Sequence, residues 1–253
     1  MDHAFVLRTL ILKDFKIRYR NMSLGMLWSV LNPLIMMSVL TFVFTVLNPP
    51  NVKNISDYPL FFLCGLIPYS FLSVTWGTGT NCIVDNAQLL KRTKMPREAV
   101  PIASVLAAGL HVLIQLALLL GITLVNGHGI NRYWLWLPVL WIVAVVFVIG
   151  LVLLCSALDV FIRDMRYLVE SAVSLLFWFM PIFYSANIIK PSHRIIWELN
   201  PLTVLILAQR SVLLDGQAPE LRLFWKMCLV SVITLVIGWV VFRKLEQKFY
   251  DYL

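Results

Sequence analysis

Nowhere in this 253-residue chain is a glycine followed by lysine, so the GxxxxGK[S/T] loop that cradles nucleotide phosphates is excluded. Charge is also scarce. Asp, Glu, Lys and Arg make up 13% of residues, against roughly 25% in a soluble domain, which argues against an ordinary water-soluble fold. The four cysteines (Cys64, Cys82, Cys155 and Cys228) lie in or beside apolar runs and form no CxxC pair. Neither a disulfide framework nor a zinc site is indicated, and they read as small hydrophobic residues. His3, His111, His128 and His193 are scattered, without the HxxxH or carboxylate pairing of a metal site. Within the apolar runs there are almost no carboxylates. Intramembrane charges usually mark chemistry or ion coupling, so their lack argues against both a membrane-embedded enzyme and a proton- or ion-driven transporter.

What the chain has in abundance is hydrophobicity, at 60% of residues and a mean hydropathy of +0.84. A helix crosses ~30 Å of hydrocarbon with about 20 apolar residues. Six stretches meet that need: 24–47, 59–84, 100–125, 135–158, 171–189 and 223–242. The expectation is an all-α membrane protein with six transmembrane helices in one domain. Charges continue to Arg20 and the apolar run after it is long, so the first span is expected to stay rather than be cleaved as a signal.

Net charge is +8, but the basic residues fall between apolar runs rather than on a soluble basic face. This favours positive-inside topology over nucleic-acid binding. Arg8, Lys13, Lys16, Arg18 and Arg20 precede the first span; Lys91, Arg92, Lys94 and Arg97 follow the second. Arg163 and Arg166 follow the fourth, and Arg243, Lys244 and Lys248 follow the last. The short alternate loops hold only Lys53 and Arg132. Both termini are therefore expected in the cytoplasm.

Three segments stand apart. Residues 1–22 read as an amphipathic helix in the interface plane, with Lys13, Lys16 and Arg20 on one face and Leu7, Leu10, Ile11 and Phe15 roughly opposite. An ordinary positive-inside flank gives the same pattern. Residues 85–97 contain Asp85–Leu90 (DNAQLL), with Leu89 and Leu90 expected as exposed apolar residues beside Lys91 and Arg92. This is either a docking knob for a partner or a simple basic loop. Between the fifth and sixth spans, Leu199–Gln209 is apolar but too short to cross, contains Pro201 and is followed by Arg210. It is expected to be re-entrant, within a segment 190–219, or else an amphipathic surface helix. His111 with Gln115 one turn on reads as helix–helix glue or, alternatively, a functional pair. Phe177, Trp178, Phe179, Phe183 and Tyr184 surround Pro181, where the helix must bend. Such aromatic faces either stack on sugar rings or pack against lipid and neighbouring helices.

Several of these features occur in a distinctive order. Tyr19-Arg20 leads to Leu24-Gly25-Met26-Leu27-Trp28 and Asn32-Pro33-Leu34. Asp159-Val160-Phe161-Ile162-Arg163-Asp164 ends the fourth span, and Phe177-Trp178-Phe179-Met180-Pro181-Ile182-Phe183-Tyr184 runs through the fifth. Asn200-Pro201 follows, and Phe242-Arg243-Lys244-Leu245-Glu246 comes near the end. Over essentially the whole chain this resembles the membrane subunit of ABC-2 type polysaccharide exporters, the permeases for lipid-linked O-antigen and teichoic acid.

The resemblance implies a homodimeric conduit in the bacterial inner membrane, two copies of a separate ATPase subunit carrying ATP and Mg, and an undecaprenyl-diphosphate-linked glycan as cargo. No cofactor is expected on this chain, and no activity as an enzyme. By position, Lys13, Lys16, Asp85, Asn86, Leu89 and Leu90 would meet the ATPase. The first and fifth spans would line the conduit with Trp28, Phe42, Phe177, Trp178, Phe179 and Tyr184. Ile188–Ala218, with Asn200 and Pro201, would form periplasmic gate helices. Lys13, Arg18 and Arg20, clustered beside the first span, are candidates to hold the lipid diphosphate. Alternatives are an ABC-2 exporter of a drug or small lipid, a membrane-embedded lipid-modifying enzyme, and a passive channel without an ATPase.

Overall fold

The computed structural model describes residues 3–19, 25–47, 57–93, 95–185 and 197–252. Among them there is no strand. The helices are α1 (His3–Tyr19), α2 (Trp28–Phe42), α3 (Tyr58–Asp85), α4 (Ala87–Arg92), α5 (Ala99–Val125), α6 (Trp136–Asp159), α7 (Met165–Phe179), α8 (Pro201–Leu213) and α9 (Leu221–Leu245). Among the described residues, five stretches are long and apolar enough to cross a membrane: Trp28–Val46, Tyr58–Asp85, Ala99–Val125, Arg132–Asp159 and Leu221–Lys248.

Local chemistry sets the ends. Pro59 opens α3 in the first turn, where its missing N–H removes no helical bond. At the far end of α3 the Asn86 side chain donates to the Cys82 carbonyl at 2.8 Å, and α4 restarts after it. Helix α5 closes on Gly127, whose φ of +84° only glycine adopts freely. There the Gly127 N–H donates to Leu124 O at 3.1 Å and the His128 N–H to Thr123 O at 3.2 Å, a Schellman closure. Asn131 starts the next turn by accepting from Tyr133 N–H at 2.9 Å, and its amide donates to Val212 O at 3.0 Å. That second bond ties the α5–α6 loop to α8.

Helix α3 is the buried axis of the protein. Leu60, Phe62, Leu63, Ile67, Phe71 and Leu72 are all inside, packed with Leu140, Ala144 and Val148 of α6 and with α8. Helices α2 and α7 lie on its flank and bury little of themselves: Ser29 and Pro33 on α2, Val169 and Val173 on α7. A second cluster gathers at the inner end, where Val6 and Leu10 of α1 meet Ile83, Val100, Ala103, Leu153, Ala157 and Phe242. Arg243 clamps this end by ion pairs to Glu98 at 2.8 Å and Glu246 at 3.1 Å.

The fifth apolar run differs from expectation. A helix was expected over 171–189, but α7 starts six residues earlier, at Met165, and stops at Phe179. Glu170 is not its boundary: it sits exposed on the second turn. Pro181 sets the other end, because the residue before a proline is pushed out of helical geometry, and Met180 is extended at φ −73°, ψ 143°. Of the two readings for Leu199–Gln209, the surface helix is excluded, since Leu202, Val204, Leu205, Ile206 and even Gln209 and Arg210 of α8 are buried.

The tightest packing joins α6 to α9. A Cβ on Gly238 would stand 2.1 Å from the Gly150 carbonyl oxygen, and one on Gly150 would stand 2.6 Å from the Leu235 nitrogen. Two backbones in contact without side chains between them is how membrane helices gain dispersion energy. Gly238→Val should therefore destabilise the protein by about 3 kcal/mol, read as a fall in the unfolding midpoint in detergent. Gly121→Ala, whose Cβ meets nothing within 4 Å, should leave the midpoint unchanged; equal behaviour of the two would contradict this packing.

Candidate functional site

Polar and aromatic groups concentrate in three places, the first where α1 meets the junction of α3 and α4. Lys13 Nζ donates to Asn86 Oδ1 at 2.6 Å and lies 3.7 Å from Asp14. This bond straps α1 to the junction of α3 and α4. Beneath it a cavity of about 510 Å³ runs up between α1, α3 and α5. Its mouth is Lys13, Asp14, Asp85 and Asn86; its deeper wall is Val74, Thr78, Ser104 and Ala107. A neighbouring hollow of about 380 Å³ shares Lys13, Asp85 and Asn86 and adds Gln88, Leu89 and Arg92. The surroundings thus grade from charged at the mouth to small uncharged side chains, Val74 and Ala107 with the hydroxyls of Thr78 and Ser104, which suits an amphiphile better than a soluble ion.

Leu89 and Leu90 were expected to stand exposed. They do not: both are half-buried against the inner cluster, because α4 turns its leucines toward the protein. The surface it presents outward is Asp85, Gln88, Lys91 and Arg92. On α1, Lys16 is exposed with Phe5, Leu12 and Ile17, so apolar residues occupy both sides of that helix and the amphipathic stripe is weak. Arg18 lies in the last turn of α1; Arg20 lies outside the described residues.

The second place is the flank formed by α2 and α7. Phe183 is its hub, with ring centroids of Phe44 at 5.5 Å, Phe177 at 5.9 Å, Trp178 at 5.6 Å and Tyr184 at 5.2 Å. Phe177 also meets Tyr69 of α3 at 5.0 Å, and Tyr184 meets Trp197 at 5.9 Å. Trp178 and Phe179 are exposed. Of the α2 residues anticipated here, Phe42 is exposed and outside this group, and Trp28 sits at the other end of the helix, also exposed. Phe44, inside the expected first span and two residues past the observed end of α2, is the residue that joins the cluster.

The third place was not anticipated. Arg210 is 5% exposed. Its Nε and Nη2 donate to the Phe61 carbonyl at 3.2 and 3.1 Å, and Nη2 also donates to Ile182 O at 2.7 Å. The guanidinium carbon lies 3.4 Å from the Phe61 ring centroid, a cation–π contact. Gly65 makes room, since a Cβ there would be 2.8 Å from Ile182 Cα and 3.0 Å from Arg210 Nη2. Tyr58 Oη donates to Phe183 O at 3.1 Å, and Tyr184 Oη to Phe179 O at 2.7 Å. Three carbonyls freed where α7 breaks are therefore served by three side chains from α8, α3 and the break itself. Next door, Trp141 Nε1 donates to Gln209 Oε1 at 3.2 Å. Beyond α8, burial raises the Asp215 carboxyl above its ordinary range, and the Arg210 charge opposes that rise.

Asn200 and Pro201 start α8: the Asn200 Oδ1 accepts from Leu202 N–H at 3.0 Å and proline takes the first helical position. Residues 190–196 of the expected 190–219 gate segment lie outside the described residues. The outer surface is further laced by His128 Nε2, 2.7 Å from Asp57 Oδ2, and by a Lys226–Glu198 ion pair.

His111 takes part in a polar seam across three helices. Its Nδ1 lies 3.0 Å from Ser29 Oγ on α2 and its Nε2 lies 3.4 Å from Gln115 Nε2. Ser70 of α3 donates to Gln115 Oε1 at 3.0 Å. These contacts are the helix-to-helix bonding of the first reading. The structure does not bring His111 together with Asp159 or Glu170, which lie at the inner ends of α6 and α7. Among the described residues no group of three His, Cys, Asp or Glu side chains is placed to hold a metal.

With this geometry in hand, comparison with known proteins is informative. The profile of the family described as ABC-2 type transporter matches residues 6–214. The chain is 30% identical over 242 residues to an O-antigen export system permease protein RfbA of Klebsiella pneumoniae, covering 95% of this chain and 92% of that one. It is 26% identical over 246 residues to the RfbA of Myxococcus xanthus, covering 96% and 94%. It is 22% identical over 245 residues to the polysialic acid transport protein KpsM of Escherichia coli, covering 94% and 92%.

Removing the Arg210 guanidinium strands buried carbonyls. Arg210→Met should lower stability by about 3 kcal/mol, seen as a large drop in the unfolding midpoint of the purified protein. Arg210→Lys should recover only part, because one ammonium cannot match the fork that reaches both carbonyls. A full-stability Met variant would contradict this role.

Proposed function

The chain belongs to the ABC-2 type transporter family, and on that premise we propose that it forms the transmembrane half of an ATP-driven polysaccharide exporter. It is a multi-pass protein of the bacterial inner membrane and is not itself an enzyme. Its family implies a separate ATPase subunit, which would carry ATP and Mg. The relatives named for O-antigen export and polysialic acid transport support a glycan as cargo.

The finer reading is as follows. Two copies of the chain pair with two ATPase subunits. Each chain crosses six times, with α7 and its bent extension completing the fifth crossing, and both termini face the cytoplasm. The exposed aromatic flank of α2 and α7 faces the conduit, where Trp28, Phe42, Phe177, Trp178, Phe179 and Tyr184 offer stacking surfaces to a passing sugar chain. The ATPase engages Lys16 and the outward side of α4 at Asp85 and its neighbours, while the half-buried Leu89 and Leu90 fix α4 to the inner cluster. Asn200 and Pro201 shape the periplasmic gate. The cargo is carried on undecaprenyl diphosphate, as lipid-linked O-antigen or teichoic acid.

The observation that carries this reading is the graded cavity under the Lys13–Asn86 bond. A lipid diphosphate has the same gradation, with Lys13, Arg18 and Arg20 as phosphate partners. The same bond strains whenever α1 moves against α4, so it suits a lever driven by nucleotide turnover.

Reconstituted with its ATPase, the complex should hydrolyse ATP faster with a polyprenyl-diphosphate glycan than with the free glycan or a hydrophobic drug. Stimulation by the drug alone would favour a small-molecule exporter. Arg18→Gln with Arg20→Gln should abolish transport while the ATPase still co-purifies; unchanged transport would refute the headgroup role. Lys13→Met should keep basal hydrolysis and reduce transport roughly tenfold, the scale of one charge-assisted hydrogen bond.

A further inference from the structure

On the side of the protein formed by α5 and α6, the structure contains an apolar groove of about 640 Å³. One wall is a single face of α5 from Leu106 to Leu120, and the other is the outer half of α6 with Trp134 before it. The floor is rigid. Phe71 of α3 and Trp141 meet edge to face at 5.6 Å, and the Trp141 N–H points away to Gln209, leaving hydrocarbon surface toward the groove. Leu113 and Ile142, both exposed, form the rim. Nothing along the groove can hold water, because a dry apolar hollow at membrane depth has no polar partners to offer it. An empty one would forfeit the dispersion contacts of its whole lining.

A basic residue precedes one end of the groove in sequence. Trp134 lies at the outer end, and Arg132 is two residues before it in the same turn. The Arg132 guanidinium stacks 4.8 Å from the Tyr133 ring centroid and donates to its hydroxyl at 2.7 Å. It is the only Asp, Glu, Lys or Arg between Glu98 and Asp159, so the cation stands at headgroup depth without an acidic residue nearby in sequence.

We infer that this groove is a binding site for one anionic phospholipid of the outer leaflet, with an acyl chain between α5 and α6 and its phosphate on Arg132. The site lies away from the aromatic flank of α2 and α7, so the lipid is a resident of the scaffold rather than cargo. Its contact with Phe71 and Trp141 places it against the residues that support Gln209, the neighbour of Arg210.

Gly109 provides the test. It lines the groove, and a Cβ added there meets nothing within 4 Å, so Gly109→Leu enters the groove from an open position, and Gly109→Ala serves as the control that leaves it unfilled. The full chain with its ATPase would be placed in vesicles of phosphatidylglycerol, extracted in mild detergent and weighed by native mass spectrometry. The expected result is a retained phosphatidylglycerol that Gly109→Leu loses while the unfolding midpoint holds. Arg132→Gln, an exposed substitution that cannot disturb folding, should retain about tenfold less, and vesicles of uncharged phosphatidylcholine should give little retention with the unaltered chain. Undiminished retention in both variants would overturn the assignment. So would an adventitious additive only, a polyprenyl diphosphate in place of the phospholipid, or dissociation of the chain from a second copy on filling the groove.

Discussion

In hydrocarbon no water is available for a free peptide carbonyl, so every break in a helix must be served by the protein. That constraint shapes the half of this molecule where α7 ends. Pro181 stops the helix short of a full crossing, and the freed carbonyls at Phe179, Ile182 and Phe183 are taken up by Tyr184, Arg210 and Tyr58. Arg210 can do this only from a short helix inserted beside α3, which is why α8 is buried and why Gly65 carries no side chain. Its charge is offset chiefly by carbonyl dipoles and the face of Phe61, with Asp215 contributing without a direct ion pair.

The same economy explains what this chain leaves to others. Several of its intramembrane polar groups hold helices together: His111, Gln115, Ser29 and Ser70 across α2, α3 and α5, and Gln209 with Trp141 between α8 and α6. Rigid close contact at Gly150 and Gly238 fixes α6 to α9. The loosely packed elements, α2 and α7, are those proposed to face the conduit, and the strapped elements, α1 and α4, are those proposed to receive force. A scaffold of this kind suits motion driven by a separate ATPase.

Much of this was legible in the residues. Charge-free apolar runs located the long helices to within a few residues, since hydrocarbon thickness fixes their length. The fifth run was misplaced because Glu170 was taken as a boundary, although a carboxylate on a helix's inner turn can face the headgroups. Leu89 and Leu90 looked like a free knob because nothing in a linear sequence shows that α4 turns them against the inner cluster. Arg210 was missed because a lone base after an apolar stretch looks like a solvent-facing flank. The available signal was indirect: a proline-broken span demands donors, and an arginine near a short apolar helix is a strong one.

Whether the shortened α7, with its sealed break, finishes a crossing decides whether the two ends of the chain lie on one side of the membrane. Single cysteines at His3, Gln217 and Tyr252, in a chain whose native cysteines are replaced, would report this through an impermeant thiol reagent applied to intact cells. Labelling at position 217 alone, with 3 and 252 reached only after the membrane is opened, is the predicted outcome. Positions 3 and 252 labelled from opposite sides would leave an odd number of crossings and contradict it.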